Sequence, residues 1–258
     1  MVTDHDAISG PGAPGSVPRS GRSAAHLVPP TDRAGYLRAW SALHGDYDVA
    51  SSVLVRGWLA LTYGVARPLV RGRVTPGAVT TVGVMLAIAA LGVAALGGPW
   101  ASVAAAVLLV ASALTDSLDG AVALLRGRSS ALGYVADSVA DRISDLTALG
   151  ILVVLGGPPA AVLAIAALTL LQETLRARAV SAGMNDIGVV TVWERPSRII
   201  AVTVTVLGCV FVADTTTFAL IGTAVAGALA VIGFGQLVLT VRRRLRGHDA
   251  PRVDRIRG

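Results

Sequence analysis

The sequence predicts an all-α membrane protein, with six transmembrane helices that follow a juxtamembrane amphipathic helix. Of its 258 residues, 53% are apolar and only 15% are charged, and the mean hydropathy is +0.68. The apolar residues form several runs of roughly 20, the length that crosses a bilayer as a helix. The net charge of +6 comes from arginines that flank these runs, which indicates membrane topology rather than nucleic-acid binding.

Two segments precede the apolar runs. Residues 1–33 are rich in Gly, Pro and Ser and are predicted to be a disordered tail. Residues 34–73 have mixed polarity, and one side of a helix there would carry apolar side chains next to several arginines. Those side chains belong to Val53, Leu54, Trp58, Leu61 and Val65. The pattern favours an amphipathic helix in the membrane interface, and a cytosolic helix that caps the bundle fits it equally well.

The transmembrane domain is predicted to occupy residues 74–243, with a basic cytoplasmic tail at 244–258. Its six spans are expected near 77–96, 99–125, 131–155, 158–182, 197–213 and 215–241. The first span follows Thr75 and Pro76, and proline is favoured in the first turn of a helix.

Arginine distribution predicts the orientation. Arginines cluster before the first span, between the second and third, between the fourth and fifth, and after the sixth, whereas the alternate connections contain none. By the positive-inside rule, both termini of this multi-pass protein of the cell membrane are expected to be cytoplasmic. Trp58, Trp100 and Trp193 lie near predicted span ends and are expected to be interfacial anchors.

Four aspartates lie in the second and third predicted spans. Asp116 and Asp119 are three residues apart and Asp137 and Asp141 four apart, so each pair shares a helix face. The short connection makes the two helices antiparallel neighbours, so the pairs are expected to face each other near the cytoplasmic boundary. A charged residue at membrane depth costs roughly 2.5–3.5 kcal/mol, and clustered carboxylates are usually offset by bound cations. Four carboxylates could hold two divalent cations, Mg²⁺ or Mn²⁺, of the kind that assist phosphoryl displacement.

The same residues resemble the signature of the CDP-alcohol phosphatidyltransferases, D-x2-D-G-x2-A-R, a spacer, and G-x3-D-x3-D. The matching positions are Asp116, Asp119, Gly120, Ala123, Gly133, Asp137 and Asp141. Leu124 departs from the pattern, because the family has arginine there; Arg126 and Arg128 follow closely and are candidates to replace it.

The resemblance implies a six-helix membrane enzyme, usually a homodimer, that uses two divalent ions. It would transfer a phosphatidyl group from CDP-diacylglycerol to an alcohol and release CMP, by attack of the alcohol hydroxyl on the β-phosphorus. Carried over by position, Asp116, Asp119 and Asp137 would be metal ligands, and Asp141 would be both a ligand and the general base. Asp119, Gly120, Ala123 and Gly133 would line the nucleotide pocket.

A second stretch bears on the alcohol. Arg176 and Arg178 at the end of the fourth span, with Arg195 and Arg198 at the start of the fifth, resemble the basic segments of actinobacterial phosphatidylinositol-phosphate synthases. The resemblance implies a pocket for the phosphate of inositol phosphate, since guanidinium groups hold phosphate oxygens bidentately. Glycerol 3-phosphate is an alternative acceptor, since it would require a similar basic cleft. These arginines could also simply mark the cytoplasmic ends of helices, with no role in binding. Arg142, Asp145 and Glu173 are expected to be ion-paired.

Two functions of other classes remain open on sequence grounds. Intramembrane carboxylates also serve cation or proton transport, although here they form a single cytoplasmic-side cluster. An inactive scaffold is the third possibility, for which Leu124 is the only indication.

Overall fold

The computed structural model describes residues 29–43, 48–127, 130–184, 190–212 and 214–246, and this part of the chain is helical throughout, without strands. The helices are α1 (Arg33–Leu43), α2 (Val53–Arg71), α3 (Pro76–Ala94), α4 (Pro99–Arg126), α5 (Ala131–Val154), α6 (Pro159–Ser181), α7 (Arg195–Gly208) and α8 (Thr215–Arg246). A single 3-10 turn at Val49–Ser51 precedes α2. The predicted all-α fold is confirmed. Most of the tail predicted to be disordered, and the basic tail beyond Arg246, lie outside the described residues.

Local signals determine where the helices that carry the aspartates begin and end. Thr75 caps α3 by accepting a hydrogen bond from the Ala78 amide, with Pro76 in the first turn as predicted. Gly127 ends α4 in the left-handed conformation, at φ 59°. Ser130 then caps α5 by accepting from the Gly133 amide. The connection between the two aspartate helices is therefore only a few residues long.

Each predicted span coincides with one of the helices α3 to α8. Among the described residues, four helices are long and apolar enough to cross a membrane, namely α3, α4, α6 and α8. Charged residues, including Asp137, Asp141 and Asp145, interrupt the apolar character of α5. Helix α7 has 14 residues and measures about 21 Å, less than a hydrocarbon core of about 30 Å. The structure thus supports a membrane protein, and the count of six spans stays a prediction.

The bundle packs around α3, α4 and α7. Helix α3 lies along both α4 and α5, α7 contacts α4, α5 and α8, and α6 packs on α8. Leu109, Leu149, Leu152 and Val202 are among the buried residues of this core. Helices α4 and α5 pack only slightly against each other, less than expected for antiparallel neighbours. Both helices pack instead on α3 and α7.

The N-terminal helices cover the end of α4 that carries the first two aspartates. Helix α2 turns Leu59, Thr62 and Ala66 into the bundle. The Tyr36 ring of α1 lies 5.4 Å from that of Tyr63, measured between centroids. Trp58 is 41% exposed, and its indole N–H donates to Ser117 Oγ of α4 at 3.2 Å. Of the other described members of its predicted apolar side, Val53 and Leu61 are exposed and Val65 is half-buried. The side chain of Leu54 lies outside the described part of the chain.

Trp193 corrects a sequence-based prediction. It was expected at the membrane interface, but its side chain is fully buried and its indole N–H donates to Thr169 Oγ1 at 2.9 Å. Gln172 of α6 holds the same segment by donating to the Trp193 carbonyl at 3.1 Å. A side chain at Gly233 of α8 would come within 2.6 Å of the Trp193 Cβ. The segment before α7 is therefore anchored in the core. Trp100, by contrast, is exposed.

Candidate metal centre and basic cluster

Three of the four aspartates converge between α4 and α5. One carboxylate oxygen from each of Asp116, Asp119 and Asp137 lies within 4.8 Å of the other two. Asp119 is buried and the other two are half-buried. The spacing of three residues on α4 places its two carboxylates on one face, as predicted. The trio has the ligand chemistry of a site for a hard divalent cation.

Asp141 lies beside the trio, and an arginine joins it to Asp116. The Nη1 atom of Arg195 contacts Asp141 Oδ1 and lies 2.9 Å from Asp116 Oδ1. Arg142 approaches Asp141 from its own helix, with Nη2 3.7 Å from Oδ2. Asp141 and Asp116 are therefore both paired with Arg195, whereas no ion pair with a described residue is seen for Asp119 or Asp137.

Three hydroxyl side chains lie next to the carboxylates. Thr80 of α3 donates to Asp119 Oδ2 at 2.7 Å. Thr80, Ser112 and Ser144 also line a small cavity below the carboxylates. Sequence reasoning missed these residues, because single hydroxyls occur throughout apolar helices. The available signal was that Thr80 lies one turn after Pro76, on the helix that precedes the aspartates.

The predicted nucleotide-binding residues differ in their surroundings. Gly120 is exposed, and a Cβ built there would meet no atom within 4 Å. Gly133 is exposed as well, and a Cβ there would lie 2.9 Å from the capping Ser130 hydroxyl. Ala123 is half-buried. The space beside Gly120 permits close approach of a ligand to the backbone.

Leu124, at the position where the family has arginine, is only 5% exposed. It packs in an apolar cluster with Tyr36, Leu59 and Val79, between the N-terminal helices and the bundle. Arg126 is half-buried at the end of α4, and Arg128 lies outside the described residues. The side chain at position 124 therefore serves packing.

The four arginines predicted to bind the acceptor phosphate do not all lie together. Arg195 joins the aspartates, and Arg198 is buried, with Nη1 2.9 Å from Asp145 Oδ2. Arg176 lies 2.7 Å from Glu194. Arg178 is exposed and makes no ion pair with any described residue. Each of the three clustered arginines already contacts a carboxylate.

Glu173 links these pairs into one network. Its carboxylate lies 3.2 Å from Arg142, 3.2 Å from Arg198 and 3.9 Å from Arg176. The ion pairing expected for Glu173 and Asp145 is therefore observed. Its extent was not foreseen, because three helices contribute charges that are far apart in the sequence.

The cluster of carboxylates and arginines carries a surplus of negative charge. Seven carboxylates face four guanidinium groups, which is a formal excess of three negative charges. The Asp137 Oδ1 atom is buried, and no described residue donates a hydrogen bond to it. A buried charged oxygen without a partner is costly. Oxygen ligands, surplus negative charge and an unpartnered oxygen together fit one or two divalent cations.

The protein therefore combines helices long enough to cross a membrane with a cluster of carboxylates suited to divalent cations. These two features define it as an integral membrane protein with a candidate metal centre. The model of the CDP-alcohol phosphatidyltransferase family matches residues 73–240. The chain belongs to this family.

Individual relatives agree with this assignment. The archaetidylinositol phosphate synthase of Aeropyrum pernix is 40% identical over 100 residues, which are 39% of this chain and 51% of that protein, so the chain spans about half the length of this curated relative. The phosphatidylinositol phosphate synthase of Mycobacterium tuberculosis with CDP-DAG bound is 30% identical, with a TM-score of 0.59 over 70% of this chain and 94% of that one. Its complex with manganese and citrate aligns at 30% identity and a TM-score of 0.58, over 70% and 88% of the two chains.

Proposed function

We propose that the protein transfers a phosphatidyl group from CDP-diacylglycerol to a hydroxyl of inositol phosphate and releases CMP. The observation that carries this proposal is the convergence of Asp116, Asp119 and Asp137 beside Asp141, on the helices that bear the family signature. Family membership supports the reaction type, and both named relatives are synthases of inositol-phosphate lipids.

The side chains have separable roles in this proposal. Asp116, Asp119 and Asp137 hold the divalent cations, Mg²⁺ or Mn²⁺, with Asp141 as a further ligand. Cations bound there would neutralise the diphosphate of the donor. Thr80 orients Asp119 through its hydrogen bond, and the backbone at Gly120 leaves room for the nucleotide, next to Ala123 and Gly133.

Asp141 is the general base in this reaction. An Asp141 oxygen accepts the proton of the acceptor hydroxyl while the hydroxyl oxygen forms a bond to the β-phosphorus. The bond from that phosphorus to the CMP oxygen breaks, and CMP leaves with the electron pair. Arg195 contacts Asp141 and orients its carboxylate.

The acceptor is assigned from the arginines beyond Asp141. A chain of ion pairs leads from Asp141 through Arg142 to Glu173, and on to Arg176 and Arg198. An acceptor with its hydroxyl at Asp141 would place a phosphate among these guanidinium groups, which bind phosphate strongly. Arg195 contacts both Asp116 and Asp141, and Arg178 is exposed on the last turn of α6.

Release of CMP by purified protein tests the proposal. The assay contains CDP-diacylglycerol, Mn²⁺ or Mg²⁺, and in parallel inositol 1-phosphate, glycerol 3-phosphate or free inositol. We expect the highest kcat/KM with inositol 1-phosphate. A preference for either of the other two would refute the acceptor assignment, and no CMP with any alcohol would refute the transferase.

Asp141→Asn provides the matched variant. An amide cannot accept the proton, and general-base catalysis contributes about 10²- to 10⁴-fold, so kcat should fall by at least 100-fold. Asp214→Asn is the control, because it makes the same change of charge far from the site. Asp214 caps the start of α8, beyond the end of α7 opposite Arg195, and lies about 20 Å from Arg195. Its activity should equal that of the wild type.

We further propose that α5 and α7 complete six passes across the cell membrane, with both termini cytoplasmic and the exposed Trp58 side of α2 in the interface. Cys209 is the single native cysteine, so Cys209→Ala gives a background for labelling. A cysteine at Leu96, which is 79% exposed on the connection between α3 and α4, should react with an impermeant maleimide added outside intact cells, and one at Gly127 only after lysis. The reverse pattern would overturn the orientation.

The family resemblance also leads us to propose a homodimer. Light scattering of the protein in detergent should give twice the polypeptide mass of 26.2 kDa. A value that matches one chain at all concentrations would contradict it.

A further inference from the structure

Glu173 is placed where an anion would be expected. Its Oε1 atom lies 3.2 Å from Arg198 Nη2 and its Oε2 atom 3.2 Å from Arg142 Nη1. A third guanidinium group, that of Arg176, approaches Oε2 at 3.9 Å. Helices α5, α6 and α7 therefore each direct one arginine at this single carboxylate.

A phosphate group would use the same donors. Carboxylate and phosphate oxygens both accept charge-assisted hydrogen bonds from guanidinium groups, so the two anions compete for one set of donors. Like charges at a few ångströms repel each other by an amount that matters even at an effective dielectric constant of about 20. An acceptor phosphate and the Glu173 carboxylate cannot both occupy this position.

The network contains fixed and movable members. The Arg198 and Asp145 side chains are 4% and 1% exposed, and their ion pair fixes Arg198 inside the bundle. The Glu173, Arg142 and Arg176 side chains are 20–25% exposed and reach the surface of the cluster. Arg176 has a second carboxylate partner in Glu194, which keeps it in place if Glu173 moves. Glu173 is therefore the side chain of this network that can rotate away from the arginines.

We propose that Glu173 sets the affinity of the acceptor site, as an internal anion that the phosphate of the acceptor must displace from Arg142 and Arg198. This inference rests on the proposed function and adds to it. Glu173 lowers the affinity for every phosphorylated acceptor, because each must displace its carboxylate from the same guanidinium groups. Free inositol carries no phosphate and does not compete with it.

Glu173→Gln tests the inference, because glutamine keeps the size of the side chain and one acceptor oxygen and removes the charge. The KM for inositol 1-phosphate should fall about three- to tenfold, the range expected from removal of one nearby like charge. The KM for glycerol 3-phosphate should fall as well, whereas that for free inositol should not. Asp214→Asn is the control for a lost carboxylate. A raised KM for both phosphorylated acceptors would overturn the inference, since Glu173 would then align the arginines.

A binding measurement without turnover separates this inference from the proposed function. Inorganic phosphate should raise the thermal midpoint of the Glu173→Gln protein at lower concentration than that of the wild type. Equal concentration dependence would overturn the inference, whatever the assay of CMP release shows. If neither protein releases CMP, the proposed function fails while the phosphate titration still decides the role of Glu173. Glu173→Asp, which retracts the carboxylate by one methylene, should shift the titration in the same direction by less and serves if the glutamine variant does not fold.

Discussion

The hydroxyl of Thr80 makes the only side-chain hydrogen bond seen among the described residues between α3 and a predicted metal ligand. Thr80→Val removes the hydrogen bond to Asp119 and keeps the shape of the side chain. A hydrogen bond is worth about 0.5–1.5 kcal/mol, so the Kd for Mn²⁺ should rise about three- to tenfold. Titration of Mn²⁺ followed by electron paramagnetic resonance measures this change. Thr80→Ser should restore the affinity, and equal affinity in Thr80→Val would show that the bond does not orient Asp119.

Leu124 occupies the position where the family has arginine. Because Leu124 is buried, restoring the family arginine there is an informative test. Leu124→Arg would place an unpaired charge among Tyr36, Leu59 and Val79, at a cost on the order of 3 kcal/mol. We expect a lower thermal midpoint and no gain in CMP release. Leu124→Met conserves volume and should cost less than about 1.5 kcal/mol. A stable Leu124→Arg protein with higher activity would show that the family arginine can still reach the site.

Single residues were predictable where their spacing determined their surroundings. The interval between Asp116 and Asp119 predicted that they share a face, because helix geometry places i and i+3 together, and the short connection to α5 predicted that Asp137 approaches them. Trp193 was misjudged, because proximity to a span end does not reveal that Gly233 makes room for it. The partners of Arg198 depend on how three helices pack, which no local pattern contains.

At the scale of helices, the close approach of α3 to α4 sets the depth of Thr80 relative to Asp119. Ser112 donates to the Gly83 carbonyl at 2.8 Å, and a Cβ at Gly83 would lie 2.5 Å from Thr115 Oγ1. Gly83→Ala should therefore push the helices apart, lower the thermal midpoint and weaken Mn²⁺ binding. Gly92→Ala is the control on the same helix, since a Cβ there meets no atom within 4 Å. Equal behaviour of the two variants would contradict a role for the close approach.

Helix positions were predicted better than helix contacts. Every predicted span has its helix, because apolar length and capping residues such as Thr75 are local properties. The slight packing between α4 and α5 was not foreseen, since a short connection was taken to imply extensive contact. Both helices instead pack on α3 and α7, which the sequence order alone does not indicate.

At the scale of the whole molecule, seven carboxylates against four guanidinium groups should make stability depend on cations. A chelator should lower the thermal midpoint, and Mn²⁺ or Mg²⁺ should raise it. A ligand at 100 times its Kd stabilises the folded state by about 2.7 kcal/mol, enough for a clear shift. Asp137→Asn should reduce the shift, and Asp214→Asn should not. A midpoint independent of divalent cations would contradict a metal centre at this site.

The buried anchoring of Trp193 has a consequence for engineering. Gln172 and Thr169 of α6 hold the segment that leads into Arg195 and Arg198, while the metal-binding carboxylates belong to α4 and α5. On the proposed assignment, the acceptor-binding arginines other than Arg142 therefore belong to a piece of the chain that adjoins the metal-binding helices. Residues 169–198 could be exchanged between relatives as one block, together with Arg142 and Gly233. Such chimaeras would change the alcohol that is used while they keep the machinery that cleaves the diphosphate.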